Sequence, residues 1–215
     1  MQIFTQLVLT IGRITQNVVE MIGTGFLIST DGKVATTRHM IGADDTNLVI
    51  LMPHINDINS YQDLSDTSCN PIPAKVIEVD PIKDISILQM SIQFNGLIPE
   101  IGSIDEVSVG DEIGIFGFPH CTEGRRALTF QKTIIGAKIL LDTKGIKSKH
   151  AVLNTQTRPG QSGSLIFSQK NNKIIGVLIG AYAPNGGGIS LGGINPRELH
   201  QTTYCISAEY LKEMI

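Results

Sequence analysis

Apolar residues along this chain come in short runs cut by glycine, proline, asparagine and aspartate, a pattern that predicts strands more readily than helices. Leu7–Ile11 and Val18–Ile22 are rich in Val, Ile and Leu, and Gly23-Thr-Gly-Phe-Leu-Ile28 reads as a glycine-relieved strand. Asp31-Gly32, flanked by Phe26-Leu-Ile28 and Val34-Ala-Thr36, predicts a hairpin, because both residues tolerate positive φ. The returning strand places His39 where it gives way to a turn. Leu48–Met52 and Ala74–Val79 are further strands, separated by a polar stretch from Asn56 to Asn70 that reads as a long surface loop. Asp84 leads the next one, dominated by Ile85, Ile87 and Leu88.

Between Ser91 and Gly110 no pattern lasts, and a boundary is expected there, between an N-terminal unit of residues 1–95 and a C-terminal unit of residues 106–215. Beyond it Asp111–Pro119 predicts a strand stopped by proline, and His120–Arg126 a polar loop. Ala127–Lys138 and Ile139–Thr143 are strand-like, Lys144-Gly145 is a turn, and a strand from His150 leads into Asn154-Thr-Gln-Thr-Arg-Pro-Gly-Gln-Ser-Gly-Ser164. Ile174–Ala181 reads as a buried strand, Pro184–Gly188 as a flexible loop, and Ser207 as the N-cap of a short closing helix. About a dozen short strands in two halves predict an all-β protein built from two packed antiparallel six-stranded barrels.

Composition sharpens this picture in three ways. The 22 glycines and 9 prolines among 215 residues suit many turns, and 41% hydrophobic against 17% charged residues describes a folded chain. A net charge of −3 with scattered basic residues leaves no footprint for nucleic acid. Cys69, Cys121 and Cys205 are odd in number and irregularly spaced, which argues against a disulfide framework. The first residues lack a basic n-region and a small-residue cleavage site, and no apolar run is long enough to span a membrane. A cytoplasmic location follows as the expectation, although a signal removed from the chain would leave the same appearance.

The chemistry-bearing candidates are few. Ser162, between Gly160 and Gly163, sits where the backbone can bend and bring several N–H groups to one point. With His39 at a strand end and Asp84 leading an apolar strand, the chain holds a nucleophile, a base and an orienting carboxylate in the order His, Asp, Ser. Each has a plain alternative: a tight turn for Ser162, a core-edge histidine for His39, a turn carboxylate in water for Asp84. The chain order excludes the serine-first arrangement of an α/β-hydrolase, whose elbow motif is also broken by Ser164. Metal binding by His120 and Cys121 lacks a recognisable ligand spacing, and no metal or organic cofactor is expected.

In these segments the sequence resembles the trypsin-like, chymotrypsin-fold serine peptidases, and it looks closest to their bacterial HtrA-like and glutamyl-endopeptidase-like branch. The matching pieces are Gly23–Ile28 with Asp31-Gly32, Val34–His39, Asp84–Leu88, Val109–Ile113 with Gly117-Phe-Pro119, Gly160–Gly163 and Ile175-Gly-Val177, in family order. The resemblance implies that Ser162 attacks a peptide carbonyl, that His39 carries its proton and that Asp84 orients the imidazole. It also implies an oxyanion hole made by the main-chain N–H groups of Gly160 and Ser162. Gln156 would lie near the base of the primary specificity pocket, with Ile179, Gly180 and Ala181 as the wall along which substrate adds as a strand. With no carboxylate in that pocket, a neutral, small or medium apolar side chain is the expected preference.

Three departures from the family pattern bear on this. Gln161 stands where relatives have Asn or Asp, which removes activation by a newly cut N-terminus. Ser164 replaces a glycine and adds a side chain to the turn. Little room remains after the last strand for the PDZ domain that HtrA proteins carry, so a stand-alone or trimmed peptidase domain is expected. The competing function is a silent or gated domain that binds an extended peptide or a partner protein in the same cleft. A peptide or protein substrate and a regulatory partner acting through the 56–70 or 120–126 loop are thus the expected partners, with no nucleic acid and no membrane.

Overall fold

The computed structural model describes residues 2–16, 18–42, 44–182 and 202–215, and the loop expected at Pro184–Gly188 lies outside them. The strands β1 (Val8–Thr15), β2 (Val18–Leu27), β3 (Lys33–Thr37), β4 (Leu48–Leu51), β5 (Pro71–Asp80) and β6 (Ile85–Met90) close into a barrel of order β1-β2-β3-β6-β5-β4. A second ring runs β11-β8-β9-β10-β13-β12, from β8 (Glu112–Gly117), β9 (Thr129–Thr143), β10 (Ile146–Leu153), β11 (Leu165–Ser168), β12 (Lys173–Tyr182) and β13 (Thr202–Ser207), and pairing of β11 with β12 closes it. A two-residue strand, β7 (Glu100–Ile101), lies parallel along the outside of β12. It falls inside the stretch where no sequence pattern lasts.

Period-two alternation builds the cores. In β8, Ile113 and Ile115 point into the second barrel with Ile135, Leu153, Ile166 and Leu178. Phe116 takes the opposite face and stacks on Phe4 at 4.1 Å between ring centroids. Phe4 belongs to a one-turn helix, α1 (Phe4–Leu7), so the start of the chain packs on the second barrel although it leads into the first. The larger apolar cluster runs without a break from Leu9, Phe26 and Ile87 to Phe116, Leu165 and Val177. The two barrels are held face to face by that continuity.

The hairpins divide by turn chemistry. Lys144 and Gly145 both take positive φ, +54° and +83°, and the tight turn lets β10 start at Ile146, four residues before His150. At the Asp31-Gly32 hairpin only Gly32 is at positive φ, +91°, and the loop is wider than two residues, closed by Ile28 N–H on Lys33 O at 2.9 Å. The pairing of Phe26 with Ala35 is kept. The closing segment Ala208–Glu213 is a 3-10 helix, and Ser207 does not cap it through its side chain, because its Oγ accepts from Ile104 N–H at 3.1 Å.

Burial also sets a pH response. His150 is buried in β10, its Nδ1 3.1 Å from Ser148 O, and burial pushes its pKa below the ordinary 6.5. His54 is shifted in the same direction, again by burial first. The unfolded chain therefore takes up a proton more readily than folded His150 as the pH falls below the ordinary imidazole value, so stability falls as the pH drops through that range. Urea unfolding at about pH 7 and pH 5 should show the loss, and it should be smaller in His150→Gln.

Candidate active site

Each candidate residue is placed by a local break in regular structure. After β3 the chain enters a one-turn helix, α2 (Arg38–Ile41), and His39 stands on it. Asp84 sits at φ +57°, just before β6. That uncommon backbone state turns its main-chain oxygen onto Arg38 N–H at 3.0 Å. Its carboxylate meets His39 twice, accepting the main-chain N–H on Oδ1 at 2.8 Å and facing Nδ1 with Oδ2 at 2.5 Å. Nδ1 is the donor in that pair, since an ionised carboxylate can only accept. On the other edge of the ring, Nε2 lies 3.2 Å from Ser162 Oγ. The histidine side chain is 47% exposed, so the trio is open to solvent on that side.

The serine turn is built by glycines where no other residue fits. Gly160 and Gly163 have φ +88° and +82°. A Cβ on Gly163 would lie 2.0 Å from Thr24 O, and one on Gly160 would lie 2.6 Å from Cys121 Sγ. Between them, Ser162 O accepts Thr24 N–H at 3.1 Å, and Gly163 N–H donates to Leu178 O at 2.8 Å. Among the described residues the N–H groups of Gly160 and Ser162 have no acceptor of their own. Pro159 O is bound by His120 N–H at 2.6 Å, and in a trans peptide this turns Gly160 N–H the opposite way, away from His120.

The two unusual residues of the turn are accommodated by distant partners. Ser164 is fully buried and donates to Gln161 O at 2.6 Å. Its space exists because position 117 is glycine, where a Cβ would be 1.9 Å from Ser164 Oγ. Gln161 is also buried, with Oε1 accepting from Arg158 N–H at 2.7 Å and Nε2 3.3 Å from Gln131 Oε1. Gln131 continues to the hydroxyl of Thr155. An amide chain therefore braces the turn at the position where digestive relatives use a carboxylate. Gln131 does not stand out in the sequence, and Gly117, although part of the matching Gly117-Phe-Pro119 piece, carries no sign of its contact with Ser164, because both lie far from residue 162 along the chain and act only across the sheet.

Around this centre, Ile179 O accepts Ser162 Oγ–H at 3.0 Å. Gly180, at φ +143°, leaves the serine open, since even a Cβ there would approach Oγ no closer than 3.6 Å. Ala181 follows in β12, paired with Thr203. Gln156 lines a recess with Asn154, Thr155 and Thr202, and its Oε1 lies 3.2 Å from Arg158 Nη1. His120 does not join the trio. Its ring faces Glu123 at 3.2 Å, and the neighbouring Cys121 is fully buried, its thiol pushed up to about 12 by burial. All three cysteines are free, with Cys69 exposed.

Two barrels with a His-Asp-Ser trio at their junction define the chymotrypsin-like class of fold. Residues 23–177 match the family model described as the trypsin-like peptidase domain, and the chain belongs to that family. Among curated relatives, a probable periplasmic serine endoprotease DegP-like protein of Bartonella henselae is 25% identical over 79% of this chain and 30% of its own length. A protein of the same description from Ectopseudomonas mendocina is 26% identical over 86% of this chain and 34% of its own. The chain thus spans about a third of the length of these relatives. The crystal structure of the MamO protease domain from Magnetospirillum magneticum superposes with a TM-score of 0.69 at 15% identity, covering 99% of this chain and 97% of that one. The periplasmic description of the relatives overturns the cytoplasmic location expected from the first residues. Among the described residues no helix is long and apolar enough to cross a membrane.

Proposed function

We propose that the protein is a serine endopeptidase that hydrolyses peptide bonds through an acyl-enzyme. The observation that carries this reading is the position of His39, bridging Asp84 at 2.5 Å and Ser162 at 3.2 Å. Ser162 Oγ attacks the scissile carbonyl as its proton passes to His39 Nε2, and the imidazolium then gives that proton to the leaving amine. Asp84 holds the Nδ1–H tautomer and stabilises the charged ring. The developing oxyanion is taken by the N–H groups of Gly160 and Ser162, where each donor contributes about 10²–10³ in rate. Water then repeats the sequence on the acyl-enzyme.

One observation favours a resting state before substrate arrives. The single hydroxyl proton of Ser162 has two acceptors, and the contact to Ile179 O at 3.0 Å competes with His39. A substrate strand laid along Ile179, Gly180 and Ala181 places its own N–H on Ile179 O and frees the serine for His39. Gln156 is neutral, which supports cleavage after a small or medium apolar residue. Residues 1–95 and 106–215 act as two units with the cleft between them. Gating by a partner would act through the 56–70 and 120–126 loops. The first is tied by Gln62 to both main-chain groups of Leu128, each at 2.8 Å, and the second holds Pro159.

Labelling with a fluorophosphonate probe tests the reading. The parent should label, while Ser162→Ala and His39→Ala should not. A well-folded parent that neither labels nor cleaves an unstructured protein such as casein would favour the silent binding domain instead.

A further inference from the structure

Thr24 has no part in the chemistry above, yet its side chain touches the loop that performs it. It lies in β2 of the first barrel and is fully buried. Its hydroxyl donates to Gly160 O at 2.8 Å and accepts from Phe118 N–H at 3.0 Å. Its main-chain N–H reaches Ser162 O at 3.1 Å, and its own carbonyl is held by the Thr36 hydroxyl at 2.8 Å. A single residue of one barrel therefore grips three residues of the other.

Gly160 is where this matters. The peptide plane on each side of it is held through a carbonyl, Pro159 O by His120 N–H and Gly160 O by the Thr24 hydroxyl. Cys121 Sγ, 3.8 Å from the same Gly160 O, adds only a weak donor. With no Cβ to resist rotation, a glycine at φ +88° keeps its two planes only as well as those hydrogen bonds do. We propose that Thr24 is a positioning residue of the oxyanion hole: with its main-chain carbonyl held by Thr36, its hydroxyl fixes the Gly160 carbonyl and its main-chain N–H the Ser162 carbonyl, which keeps the Gly160 and Ser162 N–H groups aimed at one point.

The inference rests on the assignment of Ser162 as nucleophile, and the experiment separates the two. Thr24→Val keeps the shape and removes the hydroxyl. It should lower kcat by about 10²-fold, comparable to loss of one oxyanion donor, with KM changed by less than about threefold. Thr24→Ser retains the hydroxyl and should stay within about fivefold of the parent. Affinity for a peptidyl boronate, which forms the tetrahedral anion, should fall with kcat, while affinity for the matching uncleaved product peptide should not. A purely structural role would lower the melting temperature but leave kcat per titrated active site and boronate affinity intact, and that result would overturn the proposal. If valine prevents folding, Thr24→Cys fills a similar space with a weaker donor and should give an intermediate loss, whereas parental kcat in that variant counts against the idea. A parent without any activity would overturn the peptidase reading and this one with it.

Discussion

With Ser162 as the proposed nucleophile, replacing it with alanine should lower kcat by about 10⁴–10⁶-fold while the protein stays folded and keeps its affinity for a peptide substrate. Among the described residues the hydroxyl contacts only His39 Nε2 and Ile179 O, and the His39 side chain is already 47% exposed, so losing it leaves no unpaired group deep in the core. The unfolding free energy should move by no more than about 1 kcal/mol. In the proposed mechanism His39 acts by moving the proton of Ser162, so the double variant with His39→Ala should be no slower than the serine variant alone. Single-turnover kinetics on a chromogenic ester and on a peptide would measure both statements. Residual peptide turnover above about 1% of the parent, or losses that multiply in the double variant, would remove Ser162 from the role of nucleophile.

The second large effect is on stability. Gly163→Ala puts a methyl group 2.0 Å from Thr24 O and 2.5 Å from Thr36 Oγ1, where the nearest obstacle is main chain rather than a flexible tip. Relief requires the first barrel to move away from the serine turn, which breaks the Thr24 N–H bond to Ser162 O. A loss of at least about 3 kcal/mol is expected, with activity lost alongside it. Part of any such loss is the cost of placing alanine at φ +82°. Gly110→Ala and Gly124→Ala isolate that part, since both glycines have positive φ and a Cβ at either would meet nothing within 4 Å. Those controls should cost only about 1–2 kcal/mol. Urea denaturation of the three variants decides the matter: equal destabilisation would mean that the barrels yield easily and that the contact at Gly163 is unimportant.

How far the chain could be read in advance depended on the range of each interaction. His39, Asp84 and Ser162 stand out as candidates because each sits where a strand meets a turn, and such junctions leave local traces: the end of an apolar run, an aspartate before Ile85, glycines beside a serine. The two barrels were legible from the number and alternation of short strands. Misjudgements came where a local rule had a tertiary competitor. Asp31-Gly32 satisfies the sequence rule for a two-residue turn, yet the loop is wider and the Asp31 carboxylate is engaged by the Ser29 hydroxyl. Ser207 looks like a helix cap, but its oxygen is taken by Ile104 N–H from another part of the chain. Ser164 reads as a side chain added to the turn, and what makes room for it, Gly117, lies across the sheet. The expected cytoplasmic location failed for a different reason: it rested on the composition of the first residues, whereas the curated relatives are described as periplasmic.

The sequence alone determined which residues could do chemistry, the order in which they occur and the all-β class, because propensity, turn composition and period-two patterning act over a few residues. Only the tertiary structure decided that His39 lies 2.5 Å from Asp84 and 3.2 Å from Ser162, residues 45 and 123 positions away along the chain. It also decided that the hydroxyl of Thr24 reaches a carbonyl 136 positions on. Those distances come from closing two barrels and packing them through one shared apolar cluster. Such packing depends on the summed shape of many side chains, and no single stretch of sequence contains it.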